Sequence, residues 1–507
     1  MKITLISFYF LDSGIRYISS YLKNHGYDNV EIVFFPPDRV LIPSANMYKI
    51  EESYPLGALE GLRNVCRDSD VVGISVLTND YFRAVDVTRY LKSNIKAPIV
   101  WGGWHPTASP ESCPPEVDYI YVGEGESGML ELVQRLEKKQ EIYSMDNIYY
   151  WNGIQLHKNK LRPLLRGGDL DHFQDFELEN HFVRERDGVV KVLPDIIERN
   201  LCRDFEDDVP AYTAVFSRGC PHGCAYCCNN KMDKLYSFEK NMYRSKTVSG
   251  MIEELKYVLN KFPFIKFIYM LDDNFLANNI SFLKEFAVLY KKDINIPFLA
   301  LGSPPYITEE KIVVLKDAGL KEVNMGVQSG SDRVNKEIYN RRIPKDSVIR
   351  VADLIHKYHL RGRYDFIFDN PYDKIEDEME TARLILKLPK PFIFQPFTLV
   401  FFPGTDLYDR AKRDGLIYNE RAQIFDRQTT QFYTDNVTYL KLVTLFLPRM
   451  PHWFGRILIS RPAVLILHRN IFKGFYKQLY LFVYYFKMKF NISVKSLYKK
   501  RQDDNHR

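Results

Sequence analysis

Short apolar segments alternate with amphipathic segments twice along this chain, and this alternation limits the fold more than any other feature. Over residues 1–140, apolar segments such as "KITLISFYF" and "DVVGISVL" are separated by stretches with the apolar spacing of helices. Strands that alternate with helices form a parallel, doubly wound sheet, whose ligands bind at the carboxyl ends of the strands. The sequence therefore predicts an N-terminal α/β domain with a Rossmann-like parallel sheet.

The alternation resumes at Ala211, where six strand–helix units begin with "YTAVFS" and end near "PFTLVFF". Six such units predict a partial (βα)6 barrel of the TIM type, with its active site at the carboxyl ends of the strands. The stretch between the two series is irregular and predicts a linker with some hairpin structure. The predicted organisation is a Rossmann-like domain at 1–140, a linker at 141–208, a partial barrel at 209–425 and a helical C-terminal region at 426–507.

Four of the seven cysteines lie in the loop that follows the first barrel strand, in the sequence "SRGCPHGCAYCCNN". Cys220, Cys224 and Cys227 form a C-x3-C-x2-C motif, which indicates a metal centre. A zinc site would favour a second C-x2-C pair, which the sequence lacks, although Cys228 or His222 could supply a fourth ligand. Cys228 is adjacent to Cys227 and poorly placed to share a metal ion, so we expect it to be a packing residue.

The C-x3-C-x2-C motif, with an aromatic residue before its last cysteine, resembles the signature of the radical SAM superfamily. The resemblance implies that the three thiolates hold a 4Fe–4S cluster with one open iron, where S-adenosyl-L-methionine binds and is cleaved to a 5′-deoxyadenosyl radical. The segments "MLDDNF" and "GVQSGSDRVNKEIYNR" also resemble this family, whereas "FDNPYDKIEDEME" departs from the "GxPGE" of many relatives. The implied contacts with S-adenosyl-L-methionine are Tyr226, Asp272, Asp273, Gln328 and Ser329.

In the first series, "GISVLTNDY", "WGGWHPTASPE" and "YVGEGE" resemble the cobalamin-binding domain of cobalamin-dependent radical SAM enzymes. Small residues at these strand ends permit a ligand to approach the backbone closely. The D-x-H-x-x-G loop that carries a cobalt-binding His in many cobalamin domains is absent, and "LDSGIRY" takes its place. His105 is therefore expected to stabilise its loop rather than to bind cobalt. The implied cobalamin contacts are Ser75, Leu77, Thr78, Gly102, Gly103, His105, Thr107 and Glu124.

Two other interpretations of the first domain remain open. Its "GEGESG" segment could form a phosphate or dinucleotide site, although it does not provide G-x-G-x-x-G at the first strand–helix turn. The domain could also be a vestige without a ligand. Glu124 could equally begin the helix that follows it.

The C-terminal region is basic and rich in aromatic residues. After residue 447, thirteen Lys and Arg stand against two Asp, so this segment carries +11 in a chain with a net charge of +6. Such a helix can cover the barrel or lie in a membrane interface, and packing on the barrel is the favoured interpretation. Nucleic acid is the least favoured partner for this charge. One helical face is predicted to contain Phe472, Phe475, Tyr476, Leu479, Phe482, Val483, Phe486 and Phe490.

Together these resemblances imply an enzyme with three cofactors, namely a 4Fe–4S cluster, S-adenosyl-L-methionine and cobalamin. The resemblance implies methylation of an unactivated carbon in a small-molecule or lipid-linked substrate, with an electron donor such as flavodoxin or ferredoxin. The alternatives are a radical rearrangement or cyclisation without methyl transfer, and a cobalamin-binding sensor whose cluster is structural. Scattered cysteines of odd number, with no signal peptide and no long apolar run, predict a cytoplasmic protein, with membrane association through the C-terminal helix left open.

Overall fold

The computed structural model describes residues 1–42, 47–51, 53–204, 208–429 and 437–489. The first part of the chain contains the strands β1 (Ile3–Ser7), β2 (Val30–Phe34), β3 (Arg39–Ile42), β4 (Met47–Ile50), β5 (Val71–Ser75), β6 (Ile99–Gly102), β7 (Tyr119–Tyr121), β8 (Ile148–Asn152), β9 (Gln155–Lys158), β10 (His181–Glu185) and β11 (Gly188–Lys191). Its helices are α1 (Ser13–Lys23), α2 (Leu56–Cys66), α3 (Tyr81–Lys92), α4 (Trp104–Ala108), α5 (Glu126–Glu137) and α6 (Pro194–Asn200).

The first sheet has the strand order β11-β10-β2-β1-β5-β6-β7-β8-β9 within the described residues. Its strands β2, β1, β5, β6 and β7 run parallel, with α1 and α5 packed on one face and α2 and α3 on the other. The strand order reverses direction between β1 and β5, and α/β sheets bind their ligands at such a switch point. The predicted doubly wound sheet is confirmed.

The segment predicted to be a linker contributes strands to both edges of this sheet. The β10–β11 hairpin joins through β10, which pairs in parallel with β2, and the β8–β9 hairpin joins through β8, which pairs antiparallel with β7. The sheet therefore continues to Lys191, past the predicted boundary at residue 140. The sequence indicated hairpins here but not which edge each one joins, because edge pairing depends on residues far away in the chain.

The second part of the chain contains the strands β12 (Cys202–Arg203), β13 (Pro210–Ala214), β14 (Ser217–Arg218), β15 (Arg244–Ser245), β16 (Phe267–Met270), β17 (Phe298–Gly302), β18 (Leu320–Gln328), β19 (Arg361–Phe368) and β20 (Ile393–Thr398). Its helices are α7 (Cys228–Leu235), α8 (Val248–Lys261), α9 (Ile280–Asp293), α10 (Glu309–Asp317), α11 (Lys345–Lys357), α12 (Ile375–Lys387), α13 (Asp406–Arg413), α14 (Tyr439–Phe446), α15 (His452–Leu458), α16 (Arg461–Leu467) and α17 (Lys473–Lys489).

Six parallel strands, β13 and β16 to β20, lie side by side in chain order in the described part of the second sheet. β12 pairs antiparallel with β13 at one edge. Helices α8 to α12 connect successive strands, as the six strand–helix units predicted. The predicted partial barrel is confirmed, and its strand ends face the same way because the strands are parallel.

The C-terminal helices pack on the outside of the barrel. α14 contacts α12, and α15, α16 and α17 contact α12 or α14. Tyr476 of α17 is buried and its ring lies 5.7 Å from that of Tyr439. The C-terminal region thus packs on the barrel through the contacts of α14 and α15 with α12, whereas α17 packs against α14. The predicted apolar face of α17 is buried only in part, because Phe475 is 63% exposed. The side chains of Val483 and Phe486, and all of Phe490, lie outside the described residues.

In the part of the chain that the structure describes, no helix is both long enough and apolar enough to cross a membrane.

Candidate functional site

The cysteine loop lies between β14 and α7, just beyond the carboxyl end of the first barrel strand, β13. Gly219 enters the loop with a φ of 79°, and a Cβ atom on it would clash with the carbonyl oxygen of Met242. Only glycine accepts this turn without strain. Cys220, Cys224 and Cys227 follow it, and none of the three is in a disulfide. The structure thus places the predicted cluster ligands where barrel active sites lie.

The segment that follows β18 holds the cysteine loop in place. Ala225 donates its backbone N–H to the carbonyl oxygen of Tyr339 at 2.9 Å. The buried Arg341 places Nη1 3.6 Å from Cys224 Sγ and donates Nη2 to the carbonyl oxygen of Gly326 at 2.8 Å. Arg341 therefore places a positive charge beside one of the three predicted cluster ligands. Sequence analysis did not single out Arg341.

The donor set of this loop fits a 4Fe–4S cluster. Burial raises the pKa of Cys220 to about 12, so its thiol keeps its proton until a metal displaces it. No three His, Cys, Asp or Glu side chains in the described ranges are arranged to hold one metal ion. The thiolates of a cubic cluster bind different irons, so they do not have to converge on one point. Cys228 begins α7 directly after Cys227, and its packing role stays a prediction.

A cavity of about 650 Å³ lies between the carboxyl ends of the first sheet and the mouth of the barrel. The loops after β1, β5, β6 and β7 form one side, and the loops after β13 and β16 form the other. Gly219 and Asp273 line it, and Asp273 lies near the Cys220 thiol, whose pKa is raised by burial and, to a lesser degree, by the charge of Asp273. The cavity therefore extends from the switch point of the first sheet to the cysteine loop.

Two glycines shape the wall that the first sheet gives to this cavity. A Cβ atom on Gly102 would meet no atom within 4 Å, so bare backbone faces open space there. Gly103 has a φ of 95°, and a Cβ on it would lie 3.0 Å from the backbone nitrogen of Val76. Ser75 and Leu77 line the same wall. This cradle admits a large ligand against the backbone, which is what a cobalamin tail requires.

His105 and Thr78 lie behind this wall rather than on it. The His105 ring is fully buried, with Nδ1 3.3 Å from Thr78 Oγ1 and Nε2 2.9 Å from Ser112 Oγ. Both ring nitrogens are therefore engaged, and burial lowers the pKa of His105 to about 4. Thr107 lines the cavity and accepts the backbone N–H of Gly123 at 3.0 Å. The geometry agrees with a structural role for His105.

Glu124 and Glu126, at the start of α5, form ion pairs with the barrel across the cavity edge. Arg244 Nη2 lies 2.8 Å from Glu124, and Arg218 Nη1 lies 3.3 Å from it. Arg218 also pairs with the buried Glu126, and His172 Nε2 lies 3.5 Å from the same carboxylate. The predicted ligand contact Glu124 thus lines the cavity and also joins the two halves of the chain.

The predicted contacts with S-adenosyl-L-methionine are spread around the barrel mouth. Asp273 lines the cavity, whereas the fully buried Asp272 accepts the backbone N–H groups of Phe216 and Ser217 through Oδ1. Burial raises the pKa of Asp272 to about 7. Asp272 therefore fixes the end of β13, and a direct contact with S-adenosyl-L-methionine stays a prediction for it.

The remaining three predicted contacts lie farther from the cavity. The ring of Tyr226 lies 5.0 Å from that of Tyr339 in an edge-on arrangement. Gln328 ends β18 with a φ of 67°, a strained conformation that is common at functional sites. Ser329 is buried, with its Oγ 3.4 Å from Thr381 Oγ1 of α12. Their roles in binding S-adenosyl-L-methionine also stay predictions.

Several cavity residues were missed by sequence analysis. Asp12 accepts hydrogen bonds from Ser7 Oγ at 2.6 Å and Ser75 Oγ at 3.3 Å, and it caps α1. Its position before an amphipathic helix is a capping signal that could have drawn attention to it. Tyr9 and Trp104 line the cavity and are 42% and 39% exposed. The sequence does not indicate that these two side chains are exposed. Both directly follow buried apolar strands, and an aromatic residue at such a position is expected to be buried as well.

Comparison with known families identifies both halves of the chain. The radical SAM superfamily matches residues 214–385, and the B12 binding domain matches residues 4–133. The barrel with its cysteine loop is therefore a radical SAM domain, and the first sheet is a B12-binding domain. The combination places the chain in the family of cobalamin-dependent radical SAM enzymes, whose cofactors are a 4Fe–4S cluster, S-adenosyl-L-methionine and cobalamin.

Relatives and solved structures agree with this domain pair. An uncharacterized methyltransferase of Pyrococcus horikoshii is 27% identical over 356 residues, which is 69% of this chain and 71% of that protein. The radical S-adenosylmethionine methyltransferase TsrM of Kitasatospora setae, solved with cobalamin and a [4Fe-4S] cluster, has a TM-score of 0.60 at 13% identity, over 82% of this chain and 78% of TsrM. The cobalamin-dependent radical enzyme OxsB has a TM-score of 0.56 at 18% identity, over 82% of this chain and 55% of OxsB.

Proposed function

We propose that this enzyme is a methyltransferase that transfers a methyl group from S-adenosyl-L-methionine to an unactivated carbon of a small-molecule or lipid-like substrate. The observation that carries the proposal is the single cavity that reaches both the glycine wall of the B12-binding domain and the cysteine loop of the barrel. A reaction that uses both cofactors requires them to face one enclosed space.

Relatives named as methyltransferases support methyl transfer, whereas an anaerobic magnesium-protoporphyrin IX monomethyl ester cyclase of Synechocystis, 21% identical over 314 residues, is named for a cyclisation. The Pyrococcus horikoshii protein is named a methyltransferase, and a cytidylyl-2-hydroxyethylphosphonate methyltransferase of Streptomyces wedmorensis is 23% identical over 301 residues, 54% of this chain and 52% of that protein. The second name describes a small molecule as the methyl acceptor. The substrate of the present chain would enter the same kind of cavity.

When bound, the cluster would supply the electron for cleavage of S-adenosyl-L-methionine, and cobalamin would supply methyl-transfer chemistry. The cluster would be held by Cys220, Cys224 and Cys227, and its electron would come from a donor such as flavodoxin or ferredoxin. The residues of the chain position these groups. Asp272 fixes the strand end that leads to the cysteines, and Arg341 holds positive charge beside Cys224.

Charged side chains bound the cavity at one edge, and apolar side chains form much of its lining. The ion pairs of Arg218 and Arg244 with Glu124 close one edge of the cavity, and apolar side chains such as Leu77, Met129 and Leu271 line its walls. Once cofactors and substrate fill the cavity, apolar walls of this kind would help to exclude water and so protect a carbon radical from side reactions.

The proposal is tested by incubating the reduced, cofactor-loaded protein with methyl-labelled S-adenosyl-L-methionine. A methyltransferase yields both 5′-deoxyadenosine and S-adenosylhomocysteine, and the Cys220→Ala variant loses the 5′-deoxyadenosine. Formation of 5′-deoxyadenosine alone would indicate a rearrangement or cyclisation. Recovery of intact S-adenosyl-L-methionine would indicate a sensor with a structural cluster.

A further inference from the structure

Exposed apolar side chains are concentrated in one short part of the chain. Of the 23 large apolar residues that are exposed in the described part of the molecule, ten lie between residues 453 and 482. Singly exposed apolar residues are common on proteins, but a dense group of them marks an interaction site. This C-terminal surface consists of Trp453, Phe454, Ile457, Leu465, Ile466, Ile471, Phe472, Phe475, Leu479 and Phe482.

The helices that carry the C-terminal surface are anchored on their other side. Gly455 of α15 packs so closely on Leu386 of α12 that a Cβ atom would lie 2.5 Å from Leu386 Cδ2. Val464 of α16 and Tyr476 of α17 are buried, and Tyr476 donates its hydroxyl to the carbonyl oxygen of Leu467 at 2.8 Å. Buried residues therefore anchor these helices to α12 and α14, while other residues of the same helices present apolar groups to solvent.

Positive charge accompanies these apolar groups without any negative charge. Residues 448–489 contain eight Lys and Arg and no Asp or Glu. Six of the eight are described and exposed, and within the described residues none of the six forms an ion pair with a carboxylate. They are Arg449, Arg456, Arg461, Arg469, Lys473 and Lys477.

We propose that the C-terminal surface docks on a lipid bilayer that contains anionic lipids. Aromatic and aliphatic side chains would enter the boundary between headgroups and acyl chains, while the cations remain at the level of the phosphates. Anionic headgroups complement a surface that has six exposed cations and no carboxylate of its own. The proposal concerns where the enzyme is held and does not depend on the reaction proposed above.

The test uses the full-length holoenzyme and sedimentation with vesicles, which are either phosphatidylcholine alone or phosphatidylcholine mixed with phosphatidylglycerol. We expect sedimentation with the mixed vesicles, at least about tenfold weaker partition with phosphatidylcholine alone, and release by high salt. The paired substitution Leu465→Glu and Phe475→Glu should abolish sedimentation. Replacing Arg456, Arg461 and Lys473 by Gln should weaken it about tenfold or more.

Matched controls separate lipid docking from loss of the fold. Ile154→Glu and Val288→Glu place the same charge at positions that are 98% and 67% exposed elsewhere, and they should leave sedimentation unchanged. The proposal is overturned if the wild type stays in the supernatant with mixed vesicles, binds both kinds of vesicle equally, or if the control variants lose binding to the same degree. Self-association of the wild type without vesicle binding, abolished by Leu465→Glu, would also overturn it and assign the surface to a second copy.

Discussion

His105 illustrates how burial decides the role of a residue that could have been a ligand. Its ring nitrogens contact Thr78 and Ser112, and its side chain is enclosed by the domain. A histidine that binds cobalt must offer one nitrogen to the metal. Both ring nitrogens of His105 already contact hydroxyl groups, so neither is available to a metal. The residue instead connects α4 to the loop after β5.

The lowered pKa of His105 predicts a pH dependence of stability. In the folded state the pKa of His105 is about 4, whereas its ordinary value, which applies to the unfolded chain, is 6.5. Between these two pH values the unfolded state therefore binds more protons than the folded state. The stabilisation that comes from burying neutral His105 is fully present above pH 6.5. As the pH falls towards 4, the free energy of unfolding should decrease by about 3 kcal/mol. Denaturant unfolding at several pH values should show this loss in the wild type and a smaller one in His105→Gln. An equal loss in both proteins would contradict the prediction.

Arg341 should tune the cluster, because its guanidinium group lies beside Cys224. Reduction potentials of iron–sulfur clusters depend on nearby charge and on hydrogen bonds to sulfur. Arg341→Gln is expected to lower the midpoint potential by tens of millivolts and to slow the cleavage of S-adenosyl-L-methionine. The midpoint potential is measured by a redox titration that is followed by electron paramagnetic resonance. Arg342→Gln, at the neighbouring exposed position, is the control and should leave the potential unchanged.

At the scale of elements, the sixth barrel strand meets the B12-binding domain through a glycine. Gly404, in the loop between β20 and α13, has a φ of 82°, and a Cβ on it would clash with the carbonyl oxygen of Ala108 at the end of α4. Since α4 also carries His105 and Thr107, this contact links the barrel to the wall of the cavity. The two domains are thus held together by backbone contact as well as by ion pairs.

This contact predicts unequal effects of two alanine substitutions. Gly404→Ala adds a clash to the cost of a left-handed backbone, whereas Gly415→Ala, with a φ of 71° and open space around its Cβ position, carries the backbone cost alone. We expect Gly415→Ala to cost about 1 kcal/mol and Gly404→Ala about 3 kcal/mol or more. Chemical denaturation measures both, and cobalamin retention should fall only in Gly404→Ala. Equal destabilisation by the two substitutions would contradict the prediction, because it would mean that the interface shifts to accept the added methyl group.

At the scale of the whole molecule, the sequence was sufficient for the order of the elements. Apolar periodicity located the strands and helices of both sheets, since each pattern reflects local burial. The cysteine spacing located the cluster loop, because three ligands of one small cluster must lie close together in the chain. Both are properties of neighbouring residues.

Long-range arrangement was not predictable in the same way. Nothing local indicates that the β10–β11 hairpin joins β2 while the β8–β9 hairpin joins β7, or that Arg218 pairs with Glu126. Asp272 looked like a ligand contact in the sequence, and the structure shows that its carboxylate holds two backbone N–H groups. Such roles depend on which buried polar groups need a hydrogen-bond partner, and this is known only from the folded structure.

The two domains of this chain meet at one cavity, which should serve both an iron–sulfur cluster and cobalamin. The most direct test is the iron and cobalt content of the protein produced with cobalamin and purified without oxygen. We expect about four irons and one cobalt per chain, with the iron lost and the cobalt kept in Cys220→Ala, and both kept in Cys202→Ala. Iron without cobalt would exclude cobalamin as a cofactor of this chain. Zinc in place of iron would contradict the iron–sulfur cluster and, with it, the proposed reaction.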